Sequence, residues 1–368
     1  MNKSIKRLAL STGGGDAPGL NAVIRGAVQS ARNRGWDVLG IRDGFNGLLF
    51  PERYEDGGLM RLDARAVSGI THIGGTIIGT TNKCNPLRFP VKNAEGVMEE
   101  VDRTGEIVQA CRRKEIDAVI AIGGDGSLEI AHALATKGLR VVGVPKTIDN
   151  DLEKTVITFG FDTAVCFATQ SIDRLHSTAK AHQRVMVVEV MGRYAGWIAL
   201  NSGIASNASA ILIPEIEYDI EKVCARVLER ERAGKCYSIV VVAEGARPVG
   251  GTFSVAGAEL GRQEILGGAG ENVAKAIQSK TGREARTVVL GHLLRGGTPT
   301  AFDRLLSLRF GAAAVRALCE GHEDVMVALA PPKVNYVPLA DVSGRMKQVP
   351  LDSDVMLTAR ELGICFGD

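Results

Sequence analysis

Two glycine-rich loops in the N-terminal half of the chain each carry a carboxylate among their glycines. The first runs from Ser11 to Gly19 and holds Gly13-Gly14-Gly15-Asp16, and the second is Gly123-Gly124-Asp125-Gly126-Ser127. Glycine lets a phosphate approach exposed backbone N–H groups, and such groups at a helix N-terminus attract anions. The first loop is neither a dinucleotide fingerprint nor a Walker loop, because Pro18 and Leu20 stand where glycine and lysine are required. The loops predict a polyphosphate or nucleotide site, with plain glycine-rich turns as the alternative.

The carboxylate of Asp125 stands where the second loop would receive phosphates. Two anions in one place require a cation between them, and Mg²⁺ held by Asp125 and phosphate oxygens meets that need. The alternative is that Asp125 only caps the following helix. Because two loops of this kind occur in one chain, the magnesium and polyphosphate interpretation is favoured.

A third segment, Pro145 to Asp151, follows a predicted strand and reads Pro-Lys-Thr-Ile-Asp-Asn-Asp. It concentrates an ammonium, a hydroxyl, an amide and two carboxylates, which is more chemistry than a structural turn requires. One of its carboxylates could accept the proton of an attacking hydroxyl group. The segment therefore predicts a general base beside the phosphate site.

Arginine residues in the second half of the chain stand close to the ends of predicted strands. Arg binds phosphate bidentately, so a set of guanidinium groups in these positions suits a second, anionic ligand. For any one arginine a solvated surface charge is the usual alternative, and only the set favours a site. The residues concerned are Arg184, Met191-Gly192-Arg193, Glu244, Arg283, Arg286 and the segment from His292 through Arg295 to Gly297.

Strands bounded by glycines alternate with segments of helical period, which is typical of α/β proteins with parallel sheets. We expect two doubly wound, mostly parallel-sheet domains facing a shared cleft, with ligands at the carboxyl ends of the strands. The first domain is predicted over residues 1–158, completed by about 293–325, and the second over 159–292, completed by 326–368. The first predicted strand ends at Leu10, and the others span 38–41, 118–122, 140–144, 185–190, 210–213 and 238–243. The predicted helices span 21–34, 127–137 and 162–178.

Composition narrows the class of protein further. The 368 residues are 45% apolar and 23% charged, as in ordinary globular chains. A net charge of +2 and only 5% aromatic residues exclude a generic polyanion binder and disfavour a base-stacking platform, so we expect no nucleic-acid partner. No apolar run reaches the roughly 18 residues of a membrane span, and no signal peptide is visible. Seven scattered cysteines fit a reducing compartment, and we expect a cytoplasmic enzyme.

Five motifs, taken together and in order, resemble those of the 6-phosphofructokinase family. The resemblance covers most of the chain, from Leu8 to about Arg309, and the motifs in register are far more specific than any one of them. They are Gly14-Gly15-Asp16-Ala17-Pro18-Gly19, Gly123-Gly124-Asp125-Gly126-Ser127, Thr147-Ile148-Asp149-Asn150-Asp151, Glu189-Val190-Met191-Gly192-Arg193 and His292 to Gly297.

On the donor side, the resemblance implies that the first domain binds ATP and Mg²⁺. Asp125 matches the residue that binds the metal. Asn82 stands where the family usually has an arginine that contacts the donor, with Lys83 beside it. The positions that match the cradle for the donor phosphates are Gly14, Gly15, Gly124, Asp125, Gly126 and Ser127.

On the acceptor side, the resemblance implies that Asp149 is the base that takes the proton from the 1-hydroxyl of fructose 6-phosphate, with Lys146 and Arg193 beside the reacting groups. The positions that match contacts to the sugar phosphate are Thr147, Ile148, Asp149, Arg184, Met191, Gly192, Arg193, Glu244, Arg286, His292 and Arg295. In the family, the residues that match Arg184 and Arg286 come from a neighbouring subunit. The resemblance thus implies a homo-oligomer, dimer or tetramer, with shared active sites.

The resulting hypothesis is a glycolytic kinase that makes fructose 1,6-bisphosphate from fructose 6-phosphate with ATP. Gly126 favours ATP, whereas Lys146 is typical of pyrophosphate-using and mixed-type relatives, so pyrophosphate stays an alternative donor. A catalytically silent sugar-phosphate sensor is a weaker alternative, because a binding module needs neither Asp125 nor Asp149. We also expect weak control by effectors, because Gln29 and His176 occupy positions that are arginine in the regulated enzymes, while Arg25 remains.

Overall fold

Two sheets rich in parallel strands form the framework of the protein. They are seen in a computed structural model that describes residues 4–83, 85–93, 96–252, 255–257 and 265–368. The strands are β1 (Arg7–Thr12), β2 (Asp37–Ile41), β3 (Leu59–Arg61), β4 (Phe89–Lys92), β5 (Met98–Val101), β6 (Ala118–Gly123), β7 (Arg140–Pro145), β8 (Val185–Val190), β9 (Ala210–Leu212), β10 (Ser238–Ala243), β11 (Val255–Gly257), β12 (Ile265–Leu266), β13 (Ala285–Val289), β14 (Val325–Ala330) and β15 (Lys333–Pro338).

The helices lie between these strands, as the alternating pattern predicts. They are α1 (Leu20–Arg32), α2 (Asn46–Leu49), α3 (Thr104–Arg113), α4 (Asp125–Thr136), α5 (Phe161–His182), α6 (Trp197–Ala205), α7 (Ile220–Arg232), α8 (Ala269–Thr281), α9 (Ala301–Cys319) and α10 (Asp354–Glu361). Helix α4 begins two residues earlier than predicted. It therefore includes Asp125, whose negative charge in the first turn is favourable beside the helix dipole. Among the described helices, none is both long enough and apolar enough to cross a lipid bilayer.

The first sheet has the order β15-β14-β7-β6-β1-β2-β3, and only the edge strands β3 and β15 run antiparallel to their neighbours. The chain leaves β1 towards β2 on one side, and leaves β6 towards β7 on the other. The order therefore reverses between β1 and β6, which is where open α/β sheets bind ligands. Both glycine-rich loops follow these two strands.

Helices cover both faces of the first sheet, because its central strands are apolar on both sides. All six residues of β6 are buried. Along β1, Leu8 and Leu10 pack in one core with α1 and α9, and Ala9 between them packs in the opposite core with α3 and α4. This arrangement is the doubly wound architecture that the sequence predicts.

The second sheet has the order β13-β8-β10-β9 in the described residues, with every pair parallel. Its two faces carry separate cores: Met186 and Val188 pack with α5 and α6, whereas Val185 and Val187 pack with α7 and α8. We refer to the two sheets with their helices as the first and second lobes.

The C-terminal segment divides between the lobes, which corrects the prediction that residues 326–368 complete the second domain. Strand β14 pairs with β7 and β15 pairs with β14, so both extend the first sheet. Helix α10 lies in the second lobe, because its buried Met356 and Ala359 pack in the core beside α5 and α6. Within the range 293–325, α9 packs in the core of the first lobe with α1, whereas Leu294 packs in the core of the second lobe.

Candidate active site

The two glycine-rich loops lie side by side at the point where the first sheet reverses its order. The Gly13 N–H donates to the Ile122 carbonyl at 2.9 Å, which joins the first loop to the end of β6. A Cβ at Gly13 would lie 2.6 Å from the Ser127 Oγ, so glycine is required for this close approach. Gly14 adopts a φ of 78°, in the left-handed region, and its carbonyl accepts a hydrogen bond from the Thr80 Oγ1 at 2.7 Å. The paired loops beside the N-terminus of α4 can therefore receive an anion.

Asp125 is the first residue of α4 and does not cap it. The N-cap is Gly124, which has no side chain to accept from the N–H groups at this end of the helix. The Oδ1 of Asp125 instead accepts a hydrogen bond from the backbone N–H of Gly344 at 2.8 Å. The alternative of a plain helix cap is therefore wrong, and the carboxylate stays at the anion site.

Gly126 faces open space beside Asp125. A Cβ at this position would meet no described heavy atom within 4 Å, whereas most glycines of these loops would collide with a neighbour. The absent side chain at Gly126 therefore leaves room for a ligand to extend past the loop.

The residues around Asp125 fit a magnesium ion that arrives with a polyphosphate. Among the described residues, no three His, Cys, Asp or Glu side chains are grouped so as to hold a metal ion alone. The charge of Asp125 nevertheless reaches Asp151, whose pKa is raised by burial and further by Asp125. Because Mg²⁺ is commonly bound by one or two carboxylates together with substrate phosphates, this sparse oxygen set suits it.

Lys146 is 4% exposed and lies between the two glycine-rich loops, directly after β7. Its Nζ donates to the Gly15 carbonyl, and its backbone N–H donates to the Gly123 carbonyl at 2.9 Å. Burial, and then the charge of Arg295, lower the pKa of Lys146 to about 7. The lysine therefore ties the loops together and carries a proton that neutral pH can remove.

Asp149 carries a carboxylate oxygen without a partner. Its Oδ1 is inaccessible to solvent and accepts no hydrogen bond from the described residues. Burial, and then the Asp151 carboxylate, raise the pKa of Asp149 to about 7, while Arg295 and Lys146 act in the opposite direction. A carboxylate that ionises near neutral pH and has an oxygen available has the properties of a general base.

Loops of the second lobe meet beside this carboxylate. The Glu244 N–H donates to the Val190 carbonyl at 2.9 Å, and the Gly245 N–H donates to the Gly192 carbonyl at 3.2 Å, so the loops after β8 and β10 are joined. Burial raises the pKa of Glu244, and the neighbouring Arg193 lowers it. Met191 is buried in the same loop as Arg193.

Arg295 reaches from the second lobe to the first. It ends the 3-10 turn Gly291–Arg295 that follows β13, and its Nη1 donates to the Asp16 carbonyl at 3.2 Å. Its charge acts on the pKa values of Lys146, Asp149 and Glu244, so it lies among the predicted site residues of both lobes. The other predicted residue of the turn, His292, is exposed.

Arg184 and Arg286 lie at the other end of the second sheet. Arg184 immediately precedes β8, and Arg286 is the second residue of the neighbouring β13. Both guanidinium groups pair with Glu284, at 3.2 Å from Arg184 and 2.5 Å from Arg286. The structure therefore does not bring these two arginines to the Asp149 site of their own chain.

Three other predicted site residues, Ile148, Asn82 and Lys83, differ in their exposure. The Ile148 side chain is fully buried in the second-lobe core, so only its main chain can face a ligand. Its apolar side chain is more stable in that core than in a polar cleft.

Asn82 and Lys83 are exposed in the turn after Thr81, whose carbonyl accepts the Gly14 N–H at 2.9 Å. The turn therefore adjoins the first glycine-rich loop.

Sequence reasoning missed the contacts from the C-terminal part of the chain. Gly344 reaches Asp125, and Lys347 reaches Asn150 in the Thr147–Asp151 segment. Neither residue belongs to a recognisable motif, and the contacts arise only when β14 and β15 carry this part of the chain back to the first sheet. No local signal could have identified them.

Comparison with known proteins identifies the same family that the sequence motifs resemble. The family model for phosphofructokinase matches residues 7–318. The chain is 50% identical over 363 residues to a protein of Chloroflexus aurantiacus named ATP-dependent 6-phosphofructokinase, which covers 99% of this chain and 98% of that one. It is also 47% identical over 365 residues to the pyrophosphate–fructose 6-phosphate 1-phosphotransferase of Streptomyces coelicolor, which covers 98% of this chain and 100% of that one.

Among solved structures, the crystal structure of Pichia pastoris phosphofructokinase in the T-state superposes with a TM-score of 0.78 at 30% identity, covering 92% of this chain. The present chain spans 35% of the length of that much longer one. The shared fold, together with a family model that matches more than three quarters of the sequence, shows that this chain belongs to the phosphofructokinase family.

Proposed function

We propose that the protein transfers a phosphoryl group from ATP to the 1-hydroxyl of fructose 6-phosphate, giving fructose 1,6-bisphosphate and ADP. The observation that carries the proposal is the Oδ1 of Asp149, which accepts no hydrogen bond from the described residues and belongs to a carboxylate whose pKa responds to Lys146 in the first lobe and to Glu244 in the second. A buried carboxylate between an anion site and a cluster of polar residues suits a base that activates an alcohol acceptor.

The first lobe binds the donor in this proposal. Gly14, Gly15 and the backbone of Gly124 to Ser127 receive the phosphates, and Asn82 with Lys83 lies at the edge of the first loop. Asp125 holds Mg²⁺ together with phosphate oxygens. When bound, Mg²⁺ neutralises charge that develops on the transferred group and the leaving phosphate.

The second lobe binds the acceptor. Thr147, Arg193 and Glu244 orient the sugar, with Met191 and Gly192 closing against it. Arg295, which is already held beside Asp16, receives the phosphate of the sugar together with His292. Phosphoryl transfer requires little covalent work from the protein, so the two lobes accelerate it chiefly by bringing donor and acceptor together in line.

Asp149 takes the proton of the 1-hydroxyl as the oxygen attacks the terminal phosphorus. The bond from that phosphorus to the bridging oxygen breaks, and the electron pair leaves with ADP. Lys146 and Arg193 stabilise the negative charge that moves from the attacking to the leaving oxygen. Because the Gly15 carbonyl holds the Lys146 Nζ between the loops, the protonated form of this lysine has its ammonium in place when the donor binds.

ATP is the proposed donor because Gly126 leaves open space beside the phosphate loops. The α-phosphate and nucleoside of ATP need room that pyrophosphate does not. The names of two relatives also favour ATP. A relative at 47% identity is named for its use of pyrophosphate, which is therefore the second candidate donor. The observation that favours pyrophosphate is the buried Lys146, whose ammonium could neutralise a leaving group that has no nucleotide contacts.

The complete acceptor site requires a second copy of the chain. Arg184 and Arg286 are expected to bind the sugar phosphate. Both instead pair with Glu284, at the end of the second sheet that is away from the Asp149 site of their own chain. A neighbouring subunit can present the same pair to this site, so we propose a homo-oligomer with shared active sites. All six described cysteines are free thiols, which suits a cytoplasmic location.

A coupled assay with fructose 6-phosphate, run in parallel with Mg-ATP and with Mg-pyrophosphate at millimolar levels, tests the proposal. Turnover with ATP and formation of ADP support it. Turnover with pyrophosphate alone would make the second candidate the correct one. Binding of fructose 6-phosphate without turnover by either donor would identify a sensor instead.

A further inference from the structure

Residues 344–349, between β15 and α10, form a strap that contacts loops of both lobes. Its Gly344 N–H donates to the Asp125 Oδ1 at 2.8 Å, at the start of α4. The N–H of Lys347 donates to the Asp151 carbonyl at 2.8 Å. At the other end, the Val349 N–H donates to the Glu215 Oε1 at 2.8 Å in the second lobe. These six residues thus join three parts of the protein: Asp125, the segment Thr147–Asp151 that holds the proposed base, and the second lobe.

The side chain of Lys347 is the part of the strap that holds the base loop. Its Nζ donates to the Asn150 Oδ1 at 2.9 Å, the Thr155 carbonyl at 3.0 Å and the Val156 carbonyl at 3.1 Å. An ammonium group has three N–H donors and no acceptor, so these contacts use all of them. Lys347 therefore has no donor left for a substrate and acts on the protein alone.

Asn150 is the residue that this ammonium secures. It lies between the carboxylates of Asp149 and Asp151 and adopts a φ of 52°, in the left-handed region that non-glycine residues rarely occupy. Its Oδ1 also accepts the Thr158 N–H at 3.1 Å. A strained turn of this kind persists only where surrounding contacts hold it, and its geometry sets the direction of the neighbouring carboxylates.

The strap also joins this turn to the acceptor loops. The Trp197 Nε1 donates to the Lys347 carbonyl at 3.2 Å, and the Lys347 Nζ lies 5.6 Å from the centroid of the Trp197 ring. Glu215, which binds the strap through Val349, also accepts the Gly196 N–H at 3.0 Å. Gly196 and Trp197 lie three and four positions after Arg193, so the strap connects the segment that follows the acceptor loop to the loop of the base.

We propose that Lys347 is a positioning residue for phosphoryl transfer, which holds the Asn150 turn so that the Asp149 carboxylate points at the acceptor hydroxyl. The inference rests on the proposed function of Asp149 as the base. Because protein groups accept from all three N–H donors of Lys347, its loss should lower the rate of the chemical step while leaving substrate binding nearly unchanged. Displacement of a reacting group by about 1 Å can cost about 10²-fold in rate.

The test replaces Lys347 by Met, which keeps the length of the side chain and removes the ammonium. In the fructose 6-phosphate assay with the preferred donor, we expect Lys347→Met to lower kcat by about 10- to 100-fold. The KM values for donor and sugar, and the Kd for fructose 6-phosphate by calorimetry, should stay within about threefold, because a positioning defect that acts mainly in the transition state leaves ground-state binding in place. Lys347→Arg restores donors and should recover part of the loss. Lys333→Met, on exposed β15, is the matched control and should leave kcat unchanged.

A double-mutant cycle with Asn150→Ala identifies the route of the effect. If Lys347 acts through Asn150, the double variant should be no more than about twofold slower than the slower single variant, since residues in one network are non-additive. If Lys347→Met does not fold, the same cycle with Lys347→Arg decides. A kcat within twofold of the parent, parallel losses in kcat and binding, or an additive cycle would each overturn the proposal. An inactive parent chain would overturn the proposed function itself, so the two failures are distinct.

Discussion

Arg184 and Arg193 lie at opposite ends of the same strand, β8. Arg184 immediately precedes the strand, and Arg193 follows its last residue, Val190, by three positions. A six-residue strand with its flanking residues spans on the order of 20 Å. No single bound sugar phosphate can contact both guanidinium groups of one chain. If both bind the substrate, they must belong to different subunits.

This separation predicts complementation between two inactive variants. If the proposed roles hold, Arg184→Ala removes the phosphate contact that a chain supplies to its neighbour, and Asp149→Asn removes the base of a chain's own site. In a mixed oligomer, one site combines an intact base with an intact neighbouring arginine. We therefore expect mixtures of the two variants to recover a measurable fraction of parental activity in the coupled assay.

The control is each variant mixed with itself, which should stay inactive. Mixed oligomers must be shown to form, for example with a tagged and an untagged chain. If such hybrids form at several ratios and none is active, the arginines do not act across a subunit boundary.

Asp149→Asn is expected to separate binding from chemistry. The amide keeps the size of the side chain but cannot accept the proton, and loss of a general base typically costs about 10²–10⁴-fold in rate. The Kd for fructose 6-phosphate, measured by calorimetry, should change little. Turnover within a few-fold of the parent would remove Asp149 from the role of base.

The same variant should be more stable than the parent at alkaline pH. The pKa of Asp149 is raised to about 7 in the folded protein, mainly by burial, whereas an unfolded aspartate has a pKa of about 4. Between these values the folded state holds the extra proton, so this group's contribution to stability falls as pH rises from about 4 to 7. The gain in Tm of Asp149→Asn over the parent should therefore be larger at pH 8 than at pH 5. An equal difference at the two pH values would contradict the assignment.

The pH dependence of kcat/KM should report this carboxylate. A base must be ionised and the Lys146 ammonium must keep its proton, so we expect activity to rise with pH towards about 7, as Asp149 ionises, and to fall above it, as Lys146 loses its proton. The Lys146 ammonium lowers the pKa of Asp149, so Lys146→Met should move the rising limb to higher pH. Lys333→Met serves as the control and should not move it. A shift to lower pH in Lys146→Met would refute the electrostatic link.

Gly126→Asp should abolish the use of ATP. The position is open, so the aspartate can be accommodated, but its side chain would occupy the space of the α-phosphate and repel its charge. Because Lys146 is already present, slow turnover with pyrophosphate is the expected gain. Gly126→Asn is the matched control, since it fills similar space without the charge. Unchanged turnover of ATP in Gly126→Asp would show that the α-phosphate does not pass this position.

Control by ADP and phosphoenolpyruvate is expected to be weak. Arg25 donates to the Val67 carbonyl at 2.7 Å, and His176 is bonded to the Ser206 carbonyl at 2.7 Å and the Tyr237 hydroxyl at 3.2 Å. His176 is therefore engaged within the chain, Arg25 uses one of its five N–H donors on the Val67 carbonyl, and Gln29 adds no charge that would attract an anionic effector. Saturation curves for fructose 6-phosphate should be hyperbolic with and without ADP. A sigmoidal curve that ADP converts to a hyperbola would contradict this prediction.

The local sequence pattern was sufficient to predict the motifs and the α/β lobes that carry them. The glycines around Asp125 and the apolar run of β6 predict a strand, a turn and a helix, because each depends on residues only a few positions apart. Parallel strands bring their carboxyl ends to one edge, so the sequence also determined that Lys146 and Asp149 lie near both glycine-rich loops.

Tertiary structure alone decided which distant groups complete the site. Lys347 and Asn150 are 197 positions apart, and their contact depends on β14 and β15 joining the first sheet, which the sequence pattern assigned to the second domain. The raised pKa of Asp149 and the lowered pKa of Lys146 likewise follow from burial between packed elements, and both are further changed by the charge of Arg295, 146 positions from Asp149. Packing and electrostatics act through space, so a pattern of neighbours along the chain carries no record of them.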